Sequence, residues 1–408
     1  MSLAARRLRI LILRQGYYPD DPRVRREVEA LAARGHAVDL VCLRGPGQPA
    51  RETLAGARVY RLPLARRRAG RLRYLWDYLA FFVAASLAVG LLSARRRYPL
   101  VQVNSLPDFL VWAAWPARLT GARVLLDLHE LMPELFASKY ATGMDHPLPR
   151  LLGRIETAAI RWSDASLAVS QPCLERYLAR GAPAERFTVI LNSADPSLFP
   201  PPATAGDARA AGPPASPAPL RIVSHGTLVE RYGYDLLLAA LARLLDEGLD
   251  LRLEILGAGE QRPALEAQAR ALGLGEHLTL VGFVPLDRVA ERLAGADIGA
   301  VANRSDPFTD RVLPTKLMEY AALGIPALAP ATPAVRAYFD AGMVQLFEPG
   351  DLDALTAALR RLALDPALRA RLADAAMTGF VARHGWPRMA ERYTALVERL
   401  AGEGDRPG

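Results

Sequence analysis

The first half of the chain alternates short aliphatic runs with segments whose apolar residues recur every three or four positions. The short runs predict buried β-strands and the longer segments predict amphipathic helices. One such helix, over 24–34, is followed by Gly35, a residue type common just past helix ends. Apolar strands that alternate with helices predict a parallel sheet covered on both faces. The predicted strands are residues 8–13, 38–43, 100–103, 124–128, 166–169 and 188–191.

The alternation stops at residues 200–219, which hold seven prolines and no periodic pattern and therefore predict a linker. It then resumes with predicted strands at 220–224, 251–256, 278–281, 298–301, 327–329 and 344–347. A length of 408 residues suits two domains. We therefore predict an α/β protein with doubly wound domains over 1–199 and 220–384, followed by a C-terminal helix and tail over 385–408 that packs back on either domain. Two such domains facing each other would bind ligands in the cleft at the carboxyl ends of their strands.

Composition narrows the class of protein. Hydrophobic residues make up 51% and charged residues 23%, which is globular and excludes a wholly disordered chain. The two cysteines, Cys42 and Cys173, are too few for a disulfide framework or a four-cysteine zinc site. The first residues run into a short β-like stretch with no signal-peptide cleavage site, so a cytoplasmic protein is expected.

Basic residues cluster on either side of one apolar stretch. Residues 61–73 and 94–97 are rich in arginine and flank the apolar residues 74–92, which include Asp77. The uninterrupted apolar part is shorter than the ~20 residues of a membrane-spanning helix, which disfavours a span. Two interpretations stay open: a buried helix with basic flanks, or a helix that rests on an anionic membrane surface. The basic segments lack interleaved aromatic residues, so no nucleic-acid partner is predicted.

The most informative segment for chemistry is LPTKLMEYAALGIP, residues 313–326. It predicts a helix that begins near Thr315, with Pro314 at its N-terminal end. The first-turn N–H groups and the helix dipole would bind an anion such as a diphosphate, and Lys316 would add a full charge. Glu319 lies on the same helix face, where a carboxylate can accept hydrogen bonds from ribose hydroxyls. The alternative is a solvated Lys–Glu pair, but Lys316 is one of two lysines in a chain otherwise rich in arginine.

This segment is similar to the donor-site motif of retaining glycosyltransferases of family 4, the glycosyl transferases group 1. The resemblance extends over most of the chain, through DLHELMPE at 127–134, HGTLVERYGYDLLLAAL at 225–241 and VGFVPLDRV at 281–289. It implies the GT-B architecture, in which two Rossmann-like domains face each other across a cleft. It also implies transfer of a sugar from a nucleoside diphosphate sugar to a hydroxyl group, with retention at the anomeric carbon.

The resemblance also implies roles for individual residues. His129 would face the donor sugar, and Arg231 stands in the place of a phosphate-binding lysine. Together with Lys316, these two residues are the expected catalytic groups. The residues expected to bind the donor are Gly226, Thr227, Val284, Pro285, Pro314, Thr315 and Glu319.

The chain departs from the family pattern at two positions. The family commonly has a glutamate eight residues before the position of Glu319, where this chain has Arg311, with Asp310 one residue away. The family also has a basic residue at the position of Thr227. Arg231 is therefore the expected chief cation of its loop, and an arginine preserves phosphate binding because it stays charged and binds bidentately.

Motifs for metals and cofactors are weaker. Asp127 and His129 give at most two metal ligands on one strand face, and Asp351 before Asp353 is expected to cap a helix. The glycines at 257 and 259 are half of a dinucleotide fingerprint, which disfavours an NAD site. We therefore expect no bound metal and no cofactor other than the nucleotide sugar as co-substrate.

These expectations combine into one function. The chain is predicted to be a metal-independent, retaining glycosyltransferase that uses a UDP- or GDP-linked sugar. Its acceptor would be a saccharide or a lipid-linked molecule of cell-envelope or polysaccharide biosynthesis, handled at the inner face of the cytoplasmic membrane through residues 61–97. Two alternatives remain: a nucleotide-sugar epimerase of the same fold, and a non-catalytic nucleotide-binding protein that supports a partner enzyme.

Overall fold

The computed structural model describes residues 7–65, 71–202 and 219–404. The chain divides into two compact units, one of Met1–Leu191 with Met389–Gly408 and the other of Asn192–Arg388. Most of the predicted linker, residues 203–218, lies outside the described residues, as do the arginines at 66–68. Each unit is built on a sheet of its own.

The first unit contains strands β1 (Arg9–Tyr17), β2 (Ala37–Leu43), β3 (Arg51–Leu54), β4 (Ala57–Leu62), β5 (Leu100–Asn104), β6 (Arg123–Leu128), β7 (Ala165–Ala168) and β8 (Phe187–Val189). They form one sheet in the order β3-β4-β2-β1-β5-β6-β7-β8. Every neighbouring pair is parallel except β3 and β4, which form an antiparallel edge hairpin. This hairpin has no continuous apolar run that would predict it, because β4 buries only alternate residues and β3 lies half exposed. Its turn uses positive φ angles at Ala55 and Gly56.

Helices cover this first sheet on its faces. They are α1 (Pro22–Ala33), α2 (Arg71–Arg95), α3 (Trp115–Arg118), α4 (Met132–Tyr140), α5 (Pro147–Trp162) and α6 (Gln171–Ala179), with 3₁₀ turns at Asp108–Ala114 and Ala184–Arg186. The predicted helix over 24–34 corresponds to α1, which buries Val24, Val28 and Leu31 at helical spacing. Gly35 follows it with a φ of +82°, as a C-terminal glycine should.

The second unit contains strands β9 (Leu220–His225), β10 (Leu251–Leu256), β11 (Leu278–Gly282), β12 (Ile298–Ala300), β13 (Ala327–Pro330) and β14 (Gln345–Phe347). Its sheet is parallel throughout, in the order β11-β10-β9-β12-β13-β14. The order reverses direction at β9, the kind of position where doubly wound sheets bind ligands. The helices are α7 (Tyr234–Asp246), α8 (Arg262–Ala271), α9 (Leu286–Leu293), α10 (Thr315–Ala322), α11 (Pro333–Arg336), α12 (Leu352–Leu364), α13 (Pro366–Ala375) and α14 (Ala382–His384).

The last helix, α15 (Trp386–Gly404), belongs from Met389 onward to the first unit. Its Tyr393 hydroxyl donates a hydrogen bond of 2.6 Å to Gln102 Oε1 in β5. One turn further, Glu398 accepts bonds of 3.1 Å from both Arg34 and His36. The C-terminal helix is therefore an integral part of the first unit.

The apolar stretch flanked by arginines forms α2, which is buried on one side only. Phe81, Ala85 and Val89 are fully buried at a spacing of four residues. The opposite side of the helix exposes the large apolar residues Trp76, Leu79, Val83, Leu87 and Leu91. By length and composition, Trp76–Arg95 is the one helix among the described residues that could cross a membrane. The interpretation of α2 as a buried helix is therefore wrong for the side that carries these exposed residues.

Candidate functional site

Helix α10 begins at Thr315, as predicted, and its N-terminal turn is open. Pro314 precedes it in an extended conformation and has no side-chain acceptor to cap the helix. The first-turn N–H groups of Thr315 and Lys316 are therefore available to an anion, at the positive end of the helix dipole.

Lys316 is buried beside two tyrosine rings. Its side chain is 6% exposed. The Nζ atom lies 4.9 Å from the ring centre of Tyr234 and 5.2 Å from that of Tyr232, and it donates a hydrogen bond of 3.3 Å to the Tyr234 hydroxyl. Burial lowers the pKa of Lys316 to about 7, although the charge of Glu319 opposes this shift. The aromatic faces favour the charged form, and a bound anion would favour it further.

The loop after β9 approaches this lysine closely. A Cβ atom on Gly226 would lie 3.8 Å from Lys316 Nζ and 3.3 Å from the Tyr234 hydroxyl. Gly257, which follows β10, packs so tightly that its own Cβ would lie 1.8 Å from the Gly226 carbonyl oxygen. The Gly257 N–H also donates 2.7 Å to the carbonyl of Gly282, after β11. The glycine pair at 257 and 259 therefore supports the loop at Gly226.

Arg231 also lies near Tyr232. It lies in a 3₁₀ turn, Glu230–Tyr232, and its guanidinium carbon is 5.5 Å from the Tyr232 ring centre. The two predicted cations, Arg231 and Lys316, thus both lie against Tyr232. Gly233 ends the turn with a φ of +62°, and a Cβ there would lie 2.0 Å from the Ala302 carbonyl oxygen. Thr227, on the loop before this turn, is exposed.

Glu319 already has a partner that the sequence analysis does not identify. The Nε2 atom of His225, the last residue of β9, donates a hydrogen bond to its carboxylate. The Nδ1 atom of His225 is 3.1 Å from the Tyr320 hydroxyl, which fixes the ring between two residues of α10. The signal in the sequence is the position of His225 at a strand end, directly before Gly226.

Val284 and Pro285, expected to frame the nucleobase, lie in the loop between β11 and α9. Pro285 directly precedes α9, and its carbonyl oxygen accepts a hydrogen bond of 2.9 Å from the Arg288 N–H. The preceding Phe283 is 79% exposed. Because Gly282 is bonded to Gly257, this loop lies at the same sheet edge as the loop at Gly226.

Asp310 and Arg311, which stand near the position of the family glutamate, offer different hydrogen-bonding groups. Asp310 accepts a bond of 3.0 Å from the Ser305 hydroxyl through Oδ2. Its Oδ1 atom is buried and has no hydrogen-bond partner among the described residues. Burial raises the pKa of this carboxyl group. Asp310 therefore offers a free acceptor, whereas the neighbouring Arg311 offers only donors.

His129, the remaining predicted catalytic residue, belongs to the first unit. It directly follows β6 and is 2% exposed. Its backbone N–H donates a hydrogen bond of 3.1 Å to Ser105 Oγ. The Nε2 atom of its ring lies 2.5 Å from Asp127 Oδ2. Burial lowers the pKa of His129 well below its ordinary value, with help from the charges of Arg23 and Arg14, so the ring is neutral at pH 7.

A third acid joins this pair. Glu27, from α1, places a carboxylate oxygen within 4.8 Å of the ligand atoms of Asp127 and His129, a spacing that a cation could use. The sequence analysis does not foresee it, because α1 is distant in sequence from β6. However, Asn104 Nδ2 donates a hydrogen bond to each acid, of 3.0 Å to Glu27 Oε2 and of 2.8 Å to Asp127 Oδ2. Amide donors that point at these oxygens favour a hydrogen-bonded cluster over a cation site.

Comparison with known families identifies the chain. The model of the glycosyl transferase 4-like domain matches residues 21–193, and that of the glycosyl transferases group 1 matches residues 212–378. The chain belongs to the group 1 glycosyltransferases. Its two matched segments correspond closely to the two units of the fold, and the residues from Gly226 to Glu319 lie in the second.

Individual relatives of this glycosyltransferase are distant. It is 28% identical to the D-inositol 3-phosphate glycosyltransferase of Thermobispora bispora over 70% of this chain and 68% of that protein. It is 29% identical to the GDP-mannose-dependent alpha-(1-6)-phosphatidylinositol monomannoside mannosyltransferase of Mycolicibacterium smegmatis over 44% of this chain and 47% of that protein. The second match therefore spans less than half of the relative.

The fold of the glycosyltransferase is that of solved GT-B enzymes. Sucrose-phosphate synthase from Thermosynechococcus elongatus superimposes with a TM-score of 0.76 at 24% identity, covering 97% of this chain and 99% of that one. At this identity the likeness concerns the architecture alone. The predicted GT-B fold class is confirmed.

Proposed function

We propose that this group 1 glycosyltransferase transfers a sugar from a nucleoside diphosphate sugar to a hydroxyl of a saccharide or lipid-linked acceptor. One observation supports the proposal above the others. Lys316 lies beside the rings of Tyr232 and Tyr234 at the open N-terminus of α10, and a Cβ at Gly226 would lie in contact with its Nζ atom, 3.8 Å away. A buried cation beside free helix N–H groups suits a diphosphate.

The donor-binding roles follow from the second unit. The N–H groups of Thr315 and Lys316 would bind phosphate oxygens, and the Lys316 ammonium and the Arg231 guanidinium both lie near the Tyr232 ring. Glu319 would accept hydrogen bonds from the ribose hydroxyls, and the backbone at Val284 and Pro285 would frame the base. The nucleoside is proposed to be uridine or guanosine; the M. smegmatis relative is named for GDP-mannose.

The chemistry needs stabilisation of a leaving diphosphate. The bond from the anomeric carbon to the phosphate oxygen breaks while a bond to the acceptor oxygen forms, and the acceptor proton passes to the leaving phosphate. Arg231, Lys316 and the Thr315 N–H would stabilise the developing charge more in the transition state than in the ground state. Retention at the anomeric carbon is proposed from the family resemblance. The contact of His129 with the donor sugar is also proposed from this resemblance.

Catalysis is proposed to need no metal ion. Two protein cations, Arg231 and Lys316, lie against one tyrosine ring in the part of the molecule proposed to hold the diphosphate. They would supply the positive charge that a divalent ion supplies in other sugar transferases.

The exposed side of α2 suggests where the enzyme works. Helix α3 packs on α2 near Gly90, where a Cβ would lie 3.6 Å from Pro116. It adds exposed Trp115 and Leu119 to the apolar residues of α2. We call these residues the apolar face; they are Trp76, Leu79, Val83, Leu87, Leu91, Trp115 and Leu119.

Arginines border the apolar face. Arg95 and Arg97 are exposed at the end of α2, and Arg118 is exposed beside Leu119. An apolar face with a cationic border is complementary to a membrane with anionic lipids. We propose that the enzyme binds the inner surface of the cytoplasmic membrane through this face and acts there on lipid-linked or cell-envelope acceptors. The relative named for a phosphatidylinositol mannoside acceptor is consistent with such a substrate.

The test is release of nucleoside diphosphate from UDP-, GDP- and ADP-linked sugars, with and without acceptor and with EDTA present. Lys316→Ala and Arg231→Ala should each lower turnover by about 100-fold. NMR of the product anomeric proton reports retention. An isomerised donor without nucleotide release would indicate an epimerase, and nucleotide binding without either reaction would indicate a non-catalytic protein; both outcomes contradict the proposal.

A further inference from the structure

The first unit contains a buried hydrogen-bonded chain that ends at His129. It begins at Tyr393 of α15, whose hydroxyl donates 2.6 Å to Gln102 Oε1. Because the Gln102 oxygen is thereby the acceptor, its Nε2 atom faces the other way and donates 2.8 Å to Glu27 Oε2. The orientation of the Gln102 amide is thus fixed by the network itself.

Asn104 continues the chain one strand position further. Its Nδ2 atom donates one hydrogen to Glu27 at 3.0 Å and the other to Asp127 at 2.8 Å. Both amide hydrogens are then used, so the 3.2 Å approach of this atom to His129 Nε2 is a contact and no hydrogen bond. Asn104 and Gln102 are both fully buried, so water cannot substitute for these donors without a rearrangement.

The two acids lie close enough to affect each other's ionisation. An oxygen of each carboxyl group lies within 4.8 Å of the other, so the charge of one acid disfavours ionisation of the other. Burial, followed by the charge of Asp127, raises the pKa of Glu27 to about 8, whereas burial raises that of Asp127 only to about 6. At pH 7 Glu27 is therefore the neutral acid and Asp127 the carboxylate, and a neutral carboxyl group has a hydrogen to donate.

An ionised Asp127 dictates the state of the histidine. The carboxylate can only accept, so the 2.5 Å contact places the imidazole hydrogen of His129 on Nε2. The ring is neutral, and its Nδ1 atom therefore has a lone pair. That atom is buried and has no hydrogen-bond partner within the described parts of the chain.

We infer that Asp127 is a positioning residue that holds His129 in the Nε2–H tautomer, so that Nδ1 is left to accept a hydrogen bond from a ligand hydroxyl. Glu27 acts as a second positioning residue, as a neutral acid that donates to Asp127. The chain from Tyr393 to Glu27 fixes the orientation of these groups. This inference rests on the proposed function only for the identity of the ligand on Nδ1.

The first experiment reads the tautomer directly. Long-range ¹H–¹⁵N correlation spectra of ¹⁵N-histidine-labelled protein distinguish the two neutral tautomers and the imidazolium. Among the six histidines, the signal of His129 is identified by its loss in His129→Gln. The Nε2–H form is expected in the wild-type protein, and a mixture or the Nδ1–H form in Asp127→Asn, whose amide can present a donor to Nε2. A wild-type spectrum of the Nδ1–H form or of the imidazolium would overturn the inference.

The second experiment uses two variants of Glu27 and the turnover assay. Glu27→Ala and Asp127→Asn are each expected to lower kcat by at least about tenfold, because the histidine loses its fixed orientation. Glu27→Gln keeps a neutral donor and should recover most of the activity lost in Glu27→Ala. The Kd for UDP or GDP should stay within about twofold in all variants, since the nucleotide site belongs to the second unit.

The outcomes separate this inference from the proposed function. Absence of turnover in the wild-type protein contradicts the proposed function, while the tautomer spectra still decide the role of Asp127. If Glu27→Gln is as impaired as Glu27→Ala, Glu27 does not act as a neutral donor and the inference is wrong. Circular dichroism and thermal unfolding identify any variant that fails to fold, and for such a variant Asp127→Glu is the replacement, expected to retain the Nε2–H form.

Discussion

His225 donates a hydrogen bond through Nε2 to the carboxylate of Glu319, across 94 residues of sequence. The pair brings together the end of β9 and the second turn of α10. Its other ring nitrogen is bonded to Tyr320, so the imidazole orients the carboxylate that is proposed to bind the ribose. His225 is therefore part of the proposed nucleoside site.

Glu319→Ala is expected to weaken binding of the preferred nucleoside diphosphate by about 10- to 100-fold, because hydrogen bonds to a charged acceptor contribute about 1.5–3 kcal/mol. His225→Ala should weaken it less, since the carboxylate remains but is no longer held. Titration calorimetry with UDP, GDP and ADP gives both effects.

The double variant that combines Glu319→Ala and His225→Ala provides the control. If His225 acts through Glu319, the losses in binding free energy are not additive, and the coupling energy should exceed about 0.5 kcal/mol. Strictly additive losses would show that the two side chains bind the nucleotide independently.

Lys316 predicts a pH dependence of nucleotide binding. Burial lowers its pKa to about 7 in the free protein, so the ammonium loses its proton over the range in which the terminal phosphate, with a pKa of about 6, is already fully ionised. Binding of the anion favours the protonated form. The affinity for UDP or GDP should therefore fall as pH rises from 7.5 to 9, with uptake of a proton on binding at pH 8.5.

Calorimetry in buffers of different ionisation enthalpy measures this proton uptake. Lys316→Arg is the matched control, because arginine keeps its charge over the whole range and should show weaker pH dependence. An equal pH dependence in Lys316→Arg and in the wild-type protein would mean that another group titrates.

Local patterns in the sequence predict some of these elements well. The start of α10 at Thr315 follows from a proline before an amphipathic run. The capping role of Asp351 is confirmed by its bonds of 2.8 and 2.9 Å to the N–H groups of Asp353 and Ala354. Both features depend on residues within one helical turn, where propensity and hydrogen-bond chemistry act directly.

The features that sequence reasoning misses depend on tertiary neighbours. Glu27 meets Asp127 only because α1 packs beside β5 and β6, and the ring of Tyr232 meets Lys316 only because β9 and α10 lie together. No periodicity in the chain reports such a pairing. The family resemblance supplied the motif residues, but not the histidine, tyrosines and amides that orient them.

The backbone of the turn before α7 predicts a sharp effect on stability. Gly233 and Gly248 flank the same helix, α7, and both have positive φ angles, of +62° and +86°. A Cβ on Gly233 would lie 2.0 Å from the Ala302 carbonyl oxygen, whereas one on Gly248 meets nothing within 4 Å. Gly248→Ala should therefore lower the free energy of unfolding by about 1–2 kcal/mol, from backbone strain alone.

Gly233→Ala should lower the free energy of unfolding by more, about 3 kcal/mol or above, because the turn must also move away from Ala302. Such a move displaces Tyr232 and Tyr234, so nucleotide binding should be lost as well. Thermal unfolding midpoints and calorimetry with UDP or GDP compare the two variants. Equal effects of the two substitutions would show that the turn relaxes freely.

The apolar face predicts binding to anionic membranes. The wild-type protein should co-sediment with vesicles that contain phosphatidylglycerol, more than with pure phosphatidylcholine vesicles, and the difference should shrink at high salt. Leu87→Ser removes an apolar side chain from the centre of the face, which is expected to weaken partitioning by about tenfold, since a buried leucine contributes about 1.5–3 kcal/mol.

Leu364→Ser is the matched control. Leu364 is 66% exposed and Leu87 is 64% exposed, but Leu364 lies on α12 of the second unit and is not part of the apolar face. The Leu364→Ser variant should bind vesicles as the wild-type protein does. Both variants should keep the unfolding midpoint of the wild-type protein. Equal vesicle binding by the two variants would contradict the membrane proposal. So would a wild-type protein that ignores vesicles but forms dimers that Leu87→Ser dissociates, because the apolar face would then be a protein interface.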